Sequence, residues 1–439
     1  MTSTTRKKVI GGFLVLCLSL FPYFNTASPQ NRTPIDIRQK PLNLPREKLP
    51  SPGWPDLSRD RAPTRLPPIR ISEPDLPIVA NGSFHACSLT NDHILRCWGN
   101  NASAQLGIGT RDKDDHDRAI PVPGMTGVIA VAAGFLHTCA VKNNGTVWCW
   151  GGNRHGELGF DAPPPPDDYW SHATLNPQRV PGLTGVVSVA TGFAHTCALK
   201  NDGTVWCWGD NRDGQVDPPS GNRRIEDPQQ VIGTPRQVVG LPAVSKITAG
   251  DSHTCAIAYY DSSVWCWGKN DDGQLGNSYR DADYYRSHEH HRGPSPVVSL
   301  GRVRSITAGW RHTCALTNSG DVKCWGDNFC RQLGLPRQEG QHVPTSPIQG
   351  LTGEVAAMAA NDTNTCFLMD DDTVQCVGST AFECFDYDHR HPDRSIPTPV
   401  RDFRESSALE ASRNGICVLK NSGQPLCKGL VDEDEDSLY

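Results

Sequence analysis

The sequence predicts an all-β fold: a seven-bladed β-propeller with one disulfide inside the hairpin of each blade and a ring closed by an N-terminal strand. Three observations lead there. A two-cysteine motif, seen in "HTCALKNDGTVWCWGDN" from His195, occurs seven times. The copies start at His85, His137, His195, His253, His312, Asn364 and Gly415, so they are 52, 58, 58, 59, 52 and 51 residues apart, which is a blade period and not that of a helical repeat. Within each copy, two strand-forming runs flank a short turn.

At the N-terminus, Arg6, Lys7 and Lys8 precede an apolar run from Val9 to Phe24, and no charge follows until Arg32. Residues 1–27 are therefore expected to be a signal peptide with cleavage near Ala27, or alternatively an uncleaved signal anchor. Residues 28–63 are rich in proline and charge and read as an extended spacer. The propeller is assigned to residues 64–430, and "VDEDEDSLY" at the end, essentially residues 431–439, reads as a solvated acidic tail.

Between Cys197 and Cys207 a three-residue loop, Asn201, Asp202 and Gly203, pairs Lys200 with Thr204, Leu199 with Val205, Ala198 with Trp206 and Cys197 with Cys207. In blade four the cysteines, Cys255 and Cys266, lie eleven apart around the glycine-free loop Tyr259–Ser262. Pairing inward still brings them opposite each other, as a cross-strand disulfide requires and a zinc site does not. The expected staples are Cys87 with Cys97, Cys139 with Cys149, Cys197 with Cys207, Cys255 with Cys266, Cys314 with Cys324, Cys366 with Cys376 and Cys417 with Cys427. Each contributes roughly 2 to 3 kcal/mol by loop entropy. Cys330 and Cys384, in corresponding loops of adjacent blades, are expected to pair with each other, which leaves Cys17 in the leader. Such thiols persist as disulfides only in an oxidising compartment, so a secreted or extracellular location is expected, or a membrane-anchored one with the propeller outside.

Alternation puts Trp206 and Trp208 opposite the cysteine face, against small Thr196 and Ala198. The histidine that opens each of the first five copies is read as a hydrogen-bonding tie to the next blade, with a ring of metal ligands as the alternative.

Stretches such as "AGFLHTCAVKNNGTVWCWGGNRHGELG" from Ala133 and "AGDSHTCAIAYYDSSVWCWGKNDDGQLG" from Ala249 resemble the regulator of chromosome condensation repeat family, over roughly Pro67 to Gly429. The resemblance is specific in blades one to five and fades in six and seven. It implies a seven-bladed propeller. The cysteine pairs, the leader and the lack of a long hairpin wedge separate the chain from the nuclear exchange-factor members. It looks closer to secreted cysteine-rich relatives such as crinkly-type receptor ectodomains and β-lactamase inhibitor propellers, which implies a binding surface and not an enzyme.

The chain ends soon after the seventh hairpin, so Pro68 to Ser72 is expected to supply the outer strand of blade seven and Leu76 to Asn81 the inner strand of blade one. With a net charge of −6 and no basic stripe, nucleic acid is a poor partner. "DNRDGQVD" from Asp210 superficially matches a calcium loop, but Arg212 stands where a ligand belongs. No cofactor is expected, and the chain is expected to be monomeric.

Units two, three and four are six to eight residues longer than the rest, the excess falling after the Gly-Gln-Leu-Gly position. These loops carry Tyr169, Trp170, Arg223, Arg224, Tyr279, Tyr284, Tyr285 and Arg286, residue types that dominate interface hot spots. They are the candidate binding residues for a protein partner. His288, His290 and His291 are weak candidates for a metal, against the plainer reading of a polar loop. No catalytic triad, phosphate loop or carboxylate pair stands out. The function expected is a secreted or cell-surface scaffold that binds a protein through loops on one face. The alternatives are a small-GTPase exchange-factor-like protein and an enzyme with its site at the mouth of the central channel. Asn81, Asn101, Asn144 and Asn361 lie in glycosylation sequons.

Overall fold

The computed structural model describes residues 78–90, 92–160, 172–217, 231–277, 293–336, 343–344, 346–379, 384, 395–400, 402–412, 415–422 and 424–428, all within the compact unit Pro63–Tyr439. They form seven antiparallel sheets, each a blade whose strands follow chain order. Blade one contains Ile78–Asn81, His85–Leu89, Leu95–Asn100 and Asp115–Pro121; blade two, Val128–Ala133, His137–Lys142, Val147–Gly152 and Ala173–Arg179; blade three, Val186–Thr191, His195–Lys200, Val205–Asp210 and Val231–Gln237. Blade four has Val244–Ala249, His253–Ala258, Val264–Gly268 and the short Ser295–Pro296. Blade five has Val303–Ala308, His312–Thr317 and Val322–Gly326, with a single bridge from Lys323 to Pro347 as its fourth element. Blade six has Val355–Ala360, Asn364–Met369, Val374–Gly378 and Thr398–Pro399, and blade seven Ser406–Ser412, Gly415–Lys420 and Pro425–Lys428.

The hairpin register is the expected one. Leu199 faces Val205, Ala198 faces Trp206 and Cys197 faces Cys207, and Gly203 closes the loop at φ 80°. In blade four Cys255 still faces Cys266, and Ser262 adopts the left-handed conformation, φ 57°, that glycine supplies in blades two, three and five. All seven pairs are bonded, with Cα atoms 4.0 to 4.2 Å apart. The eighth bond, Cys330 to Cys384, spans 5.0 Å between Cα atoms and staples blade five to the loop of blade six. Cys17 lies outside the described residues.

Packing between blades follows from the alternation. The cysteine face of one blade meets the tryptophan face of the next. Cys139, Cys149, Leu158 and Val180 of blade two enclose Ala198 and Trp208 of blade three, and the same arrangement places Trp267 on blade three and Trp325 on blade four. Trp150, Trp208, Trp267 and Trp325 are fully buried. Blade six has Val377 at the corresponding register position and fills the space with Phe367 from the adjacent strand.

The inner strand of blade one, Ile78–Asn81, lies within the predicted segment Leu76 to Asn81. Val79 and Ala86 of blade one pack on Cys417 of blade seven, so the last blade meets the first. Pro68 to Ser72 lies outside the described residues, and blade seven has three strands among them. Deletion up to Pro63 is expected to leave the melting temperature nearly unchanged. Extending the deletion through Asp75 should open the ring and expose a sheet edge that favours aggregation. Equal stability of the two truncations would exclude closure by this segment.

Candidate functional site

Each of blades two to five ends its inner strand with glycine, two variable residues and histidine, as in Thr191, Gly192, Phe193, Ala194 and His195. The glycine is required by close approach: a Cβ at Gly192 would collide with the ring of His195 and the carbonyl of Gly250. The imidazole is thereby held flat against the backbone, with Nε2 aimed at the next blade. His85 meets Thr138 at 2.7 Å, His137 meets Thr196 at 3.0 Å, His195 meets Thr254 at 2.9 Å, His253 meets Thr313 at 2.9 Å and His312 meets Thr365 at 2.8 Å.

The tautomer follows from hydrogen counting. The hydroxyls of Thr138, Thr196, Thr313 and Thr365 each donate their single proton to a backbone carbonyl of the preceding blade, on Gln105, Glu157, Gln274 and Gln332. They can therefore only accept from histidine, so Nε2 carries the proton. The indole N–H groups of Trp150, Trp208 and Trp325 donate to three of those same carbonyls at 2.8 to 2.9 Å. Burial drives the imidazole pKa values down, to about 3 for His137 and about 4 for His195. These neutral, interlocked rings are ties between blades, as the sequence reading expected.

What the fold builds above them is a mouth. The first variable residue of the inner loop in blades one to six, Ser83, Phe135, Phe193, Asp251, Trp310 and Asp362, lines one end of the central channel, and several of these loops are bonded to one another. The N–H of Ser83 donates to Gly134, Phe193 to Asp251, Asp251 to Trp310 and Trp310 to Asn361, at 3.0 to 3.3 Å. One arc is aromatic: Phe135 stacks on Phe193 with centroids 4.0 Å apart and meets Phe84 edge-on at 5.2 Å. Phe84 and Phe193 remain 39% and 37% exposed. The other arc is polar. Burial raises the carboxyl pKa of Asp251, opposed by hydrogen bonds from Ser252 and Trp310, and Arg311 lies over the Trp310 ring at 5.2 Å. The cavity at this mouth is open to solvent and has a volume of about 110 Å3.

The long loops leave from the same face. In each antiparallel blade the first-to-second and third-to-fourth connections lie at one end, and Asp210, where the third strand of blade three ends, donates its N–H to Ala194 of the mouth loop at 2.8 Å. Phe160, Asp217 and Asn277 thus start their loops beside the mouth. Tyr169, Trp170, Arg223, Arg224, Tyr279, Tyr284, Tyr285 and Arg286 lie outside the described residues, as do His288, His290 and His291. At the calcium-like stretch, Arg212 pairs with the Asp210 carboxylate at 2.9 Å. The sequence reading missed the aromatic arc. The available signal was the residue after each loop glycine, Phe135, Phe193 and Trp310, which the repeat does not require.

Over 262 residues the chain is 32% identical to the human E3 ubiquitin-protein ligase HERC2, covering 58% of this chain and 5% of the ligase. It is 29% identical to the ultraviolet-B receptor UVR8 of Arabidopsis thaliana over 61% of this chain and 56% of the receptor. The chain thus spans just over half of one relative and a small part of the other. Among solved structures, Prp20p from Saccharomyces cerevisiae, described with its binding properties to Gsp1p and histones, superposes with a TM-score of 0.62 over 81% of this chain and 83% of that one. At 21% identity that match shows the fold alone. The family model of the RCC1-like domain matches residues 53–417, and with its blade motif, register and ring in place the chain belongs to the RCC1-like domain family.

Proposed function

We propose that the chain is an exported scaffold that binds a protein partner through the face holding the channel mouth and the long loops of blades two to four. The observation that carries this reading is the mouth itself, a set of hydrogen-bonded inner loops with a cluster of three phenylalanines, two of which, Phe135 and Phe193, line a cavity of about 110 Å3. Small-molecule sites typically need roughly 300 to 1,000 Å3. This cavity has room for one inserted side chain, which favours a protein surface over an enzyme substrate. The buried cysteine pairs support export, since a reducing compartment would keep them as thiols.

The test separates binding from folding. A partner recovered with the secreted protein is re-measured against three variants. Replacing Trp170, Arg224 and Tyr285 by alanine, or Phe84 and Phe193 by alanine, is expected to weaken binding, by several kcal/mol where two hot spots of about 2 kcal/mol each are lost. Alanines at Lys142, Asn143 and Lys200, in turns of the opposite face, should leave it intact. Loss of the partner in the turn variant, with binding retained in the other two, would place the site on the opposite face.

A further inference from the structure

Four sequons fall within the propeller, and the fold treats them very differently. Asn101 is fully buried. Its Nδ2 donates to the Thr110 carbonyl at 3.1 Å and to Asp112 at 3.0 Å, and its Oδ1 accepts from the Leu106 N–H. Asn361 is buried in the mouth ring, its Oδ1 holding the N–H groups of Thr363 and Asn364. The Nδ2 of Asn81 is shut off from solvent. Asn144 is different: it is exposed at the tip of the blade-two hairpin, with Oδ1 accepting from the N–H and the hydroxyl of Thr146 at 3.2 and 2.7 Å. That turn needs only the side-chain oxygen.

Other blades confirm what the turn requires. Asp202 accepts from the N–H and hydroxyl of Thr204, Asp261 from those of Ser263, and Asp371 from those of Thr373. Blade two alone among these four offers an amide where its neighbours offer a carboxylate, so its Nδ2 is surplus to the fold.

We infer that Asn144 is an N-glycosylation site and that it is the one sequon of the propeller whose glycan the folded chain accepts. The inference rests on the export reading above. In the transfer, Nδ2 attacks the anomeric carbon of an oligosaccharide carried on a lipid diphosphate. The new N–C bond replaces the C–O bond, the lipid diphosphate departs, and the amide proton passes to a base of the transferase. A sugar at Asn101 or Asn361 would instead prevent the chain from burying those amides. At Asn144 it projects from the turns, on the face opposite the mouth, and leaves the proposed binding surface clear.

The experiment expresses the full chain in a cultured animal cell line, once with its own N-terminus and once behind an added cleavable leader, and maps glycopeptides in the folded, secreted protein. Asn144 is expected to be occupied and Asn81, Asn101 and Asn361 empty, with Asn31, in a further sequon outside the described residues, read on its own peptide. Asn144→Asp should remove that glycan without changing the melting temperature of enzymatically deglycosylated protein, because aspartate serves the same turn in three other blades. An empty Asn144, or a glycan on Asn81, Asn101 or Asn361 in folded protein, would overturn the inference. Retention of the unassisted chain in the cytosol, with Asn144 glycosylated behind the added leader, would sink the export reading and leave the site standing.

Discussion

Replacing Trp208 by alanine is expected to lower the unfolding free energy by about 3 to 5 kcal/mol, the range for truncating a large aromatic in a core. Trp208 is fully buried between Leu158 and Val180 of blade two and its own blade. It also supplies one of the two protons that the Glu157 carbonyl accepts. The loss therefore combines a cavity with a weakened tie between two blades. Trp208→Phe keeps a six-membered ring in the core but loses the N–H and part of the indole volume, so it should cost about 1 to 3 kcal/mol. Trp206, two residues earlier, is half-buried and donates only to Thr204 of its own hairpin, and Trp206→Ala should cost clearly less than Trp208→Ala. Urea unfolding midpoints rank the three. If Trp206→Ala proved the most damaging, this account of the blade interface would be wrong.

Replacing Glu157 by glutamine is expected to make the protein more stable at alkaline pH and to leave its stability at acid pH nearly the same. In four other blades this position is Gln105, Gln215, Gln274 or Gln332. Gln105 and Gln332 donate to a side-chain oxygen at the end of the third strand, on Asn100 and Asp327 respectively. Blade two has Gly152 there, and Glu157 is buried with one oxygen accepting the His155 N–H at 2.6 Å. Burial pushes its pKa up to about 8. The folded chain therefore keeps a proton up to about pH 8 that the unfolded chain releases near the ordinary value of 4.5. Between those limits the unfolded state binds fewer protons, so stability falls as pH rises, by about 1.4 kcal/mol per pH unit from this group. Glutamine does not titrate. The variant should gain on the parent steadily through that window, to about 4 to 5 kcal/mol above pH 8, and parallel pH curves for the two proteins would refute the assignment.

The fold was legible in the sequence because its repeat is chemical as well as numerical. Cysteine spacing revealed the hairpin register, and blade four, with one extra loop residue, showed that pairing and not spacing was being kept. The tie from His195 was legible as a tie, but not its partner, since Thr254 lies 59 residues on and only blade packing brings it near. The mouth was harder. Its residues, Phe84, Phe135, Phe193, Asp251 and Trp310, differ from blade to blade, and a search for what recurs discards them. Loop length drew attention to Tyr169, Trp170 and Tyr285, while it is the short inner loops that meet at the axis. Glu157 was visible in "GELG", but its consequence depends on Gly152 standing opposite, a cross-strand fact.

The histidine ties link blade one to two and continue as far as five to six, where the Cys330–Cys384 bond adds a covalent link. There they stop. Asn364 turns its amide back to Thr363 and Ser379 of its own blade, and the position that should receive it in blade seven is Ile416, which has no hydroxyl. Among the described residues, blade seven meets blade six through apolar contacts around Phe403, Leu409 and Ile416 and one exposed hydrogen bond, from Asn421 Nδ2 to Asp372 at 3.2 Å, and it meets blade one at Val79 and Ala86. Among the described residues the histidine ties therefore fasten six sectors in series, and blade seven sits between the two ends of that series. Subglobal opening is expected to begin at blade seven, whose amide hydrogens should exchange ahead of those of the six tied sectors. A ring fastened in this way can widen its bore slightly at blade seven without breaking a histidine tie.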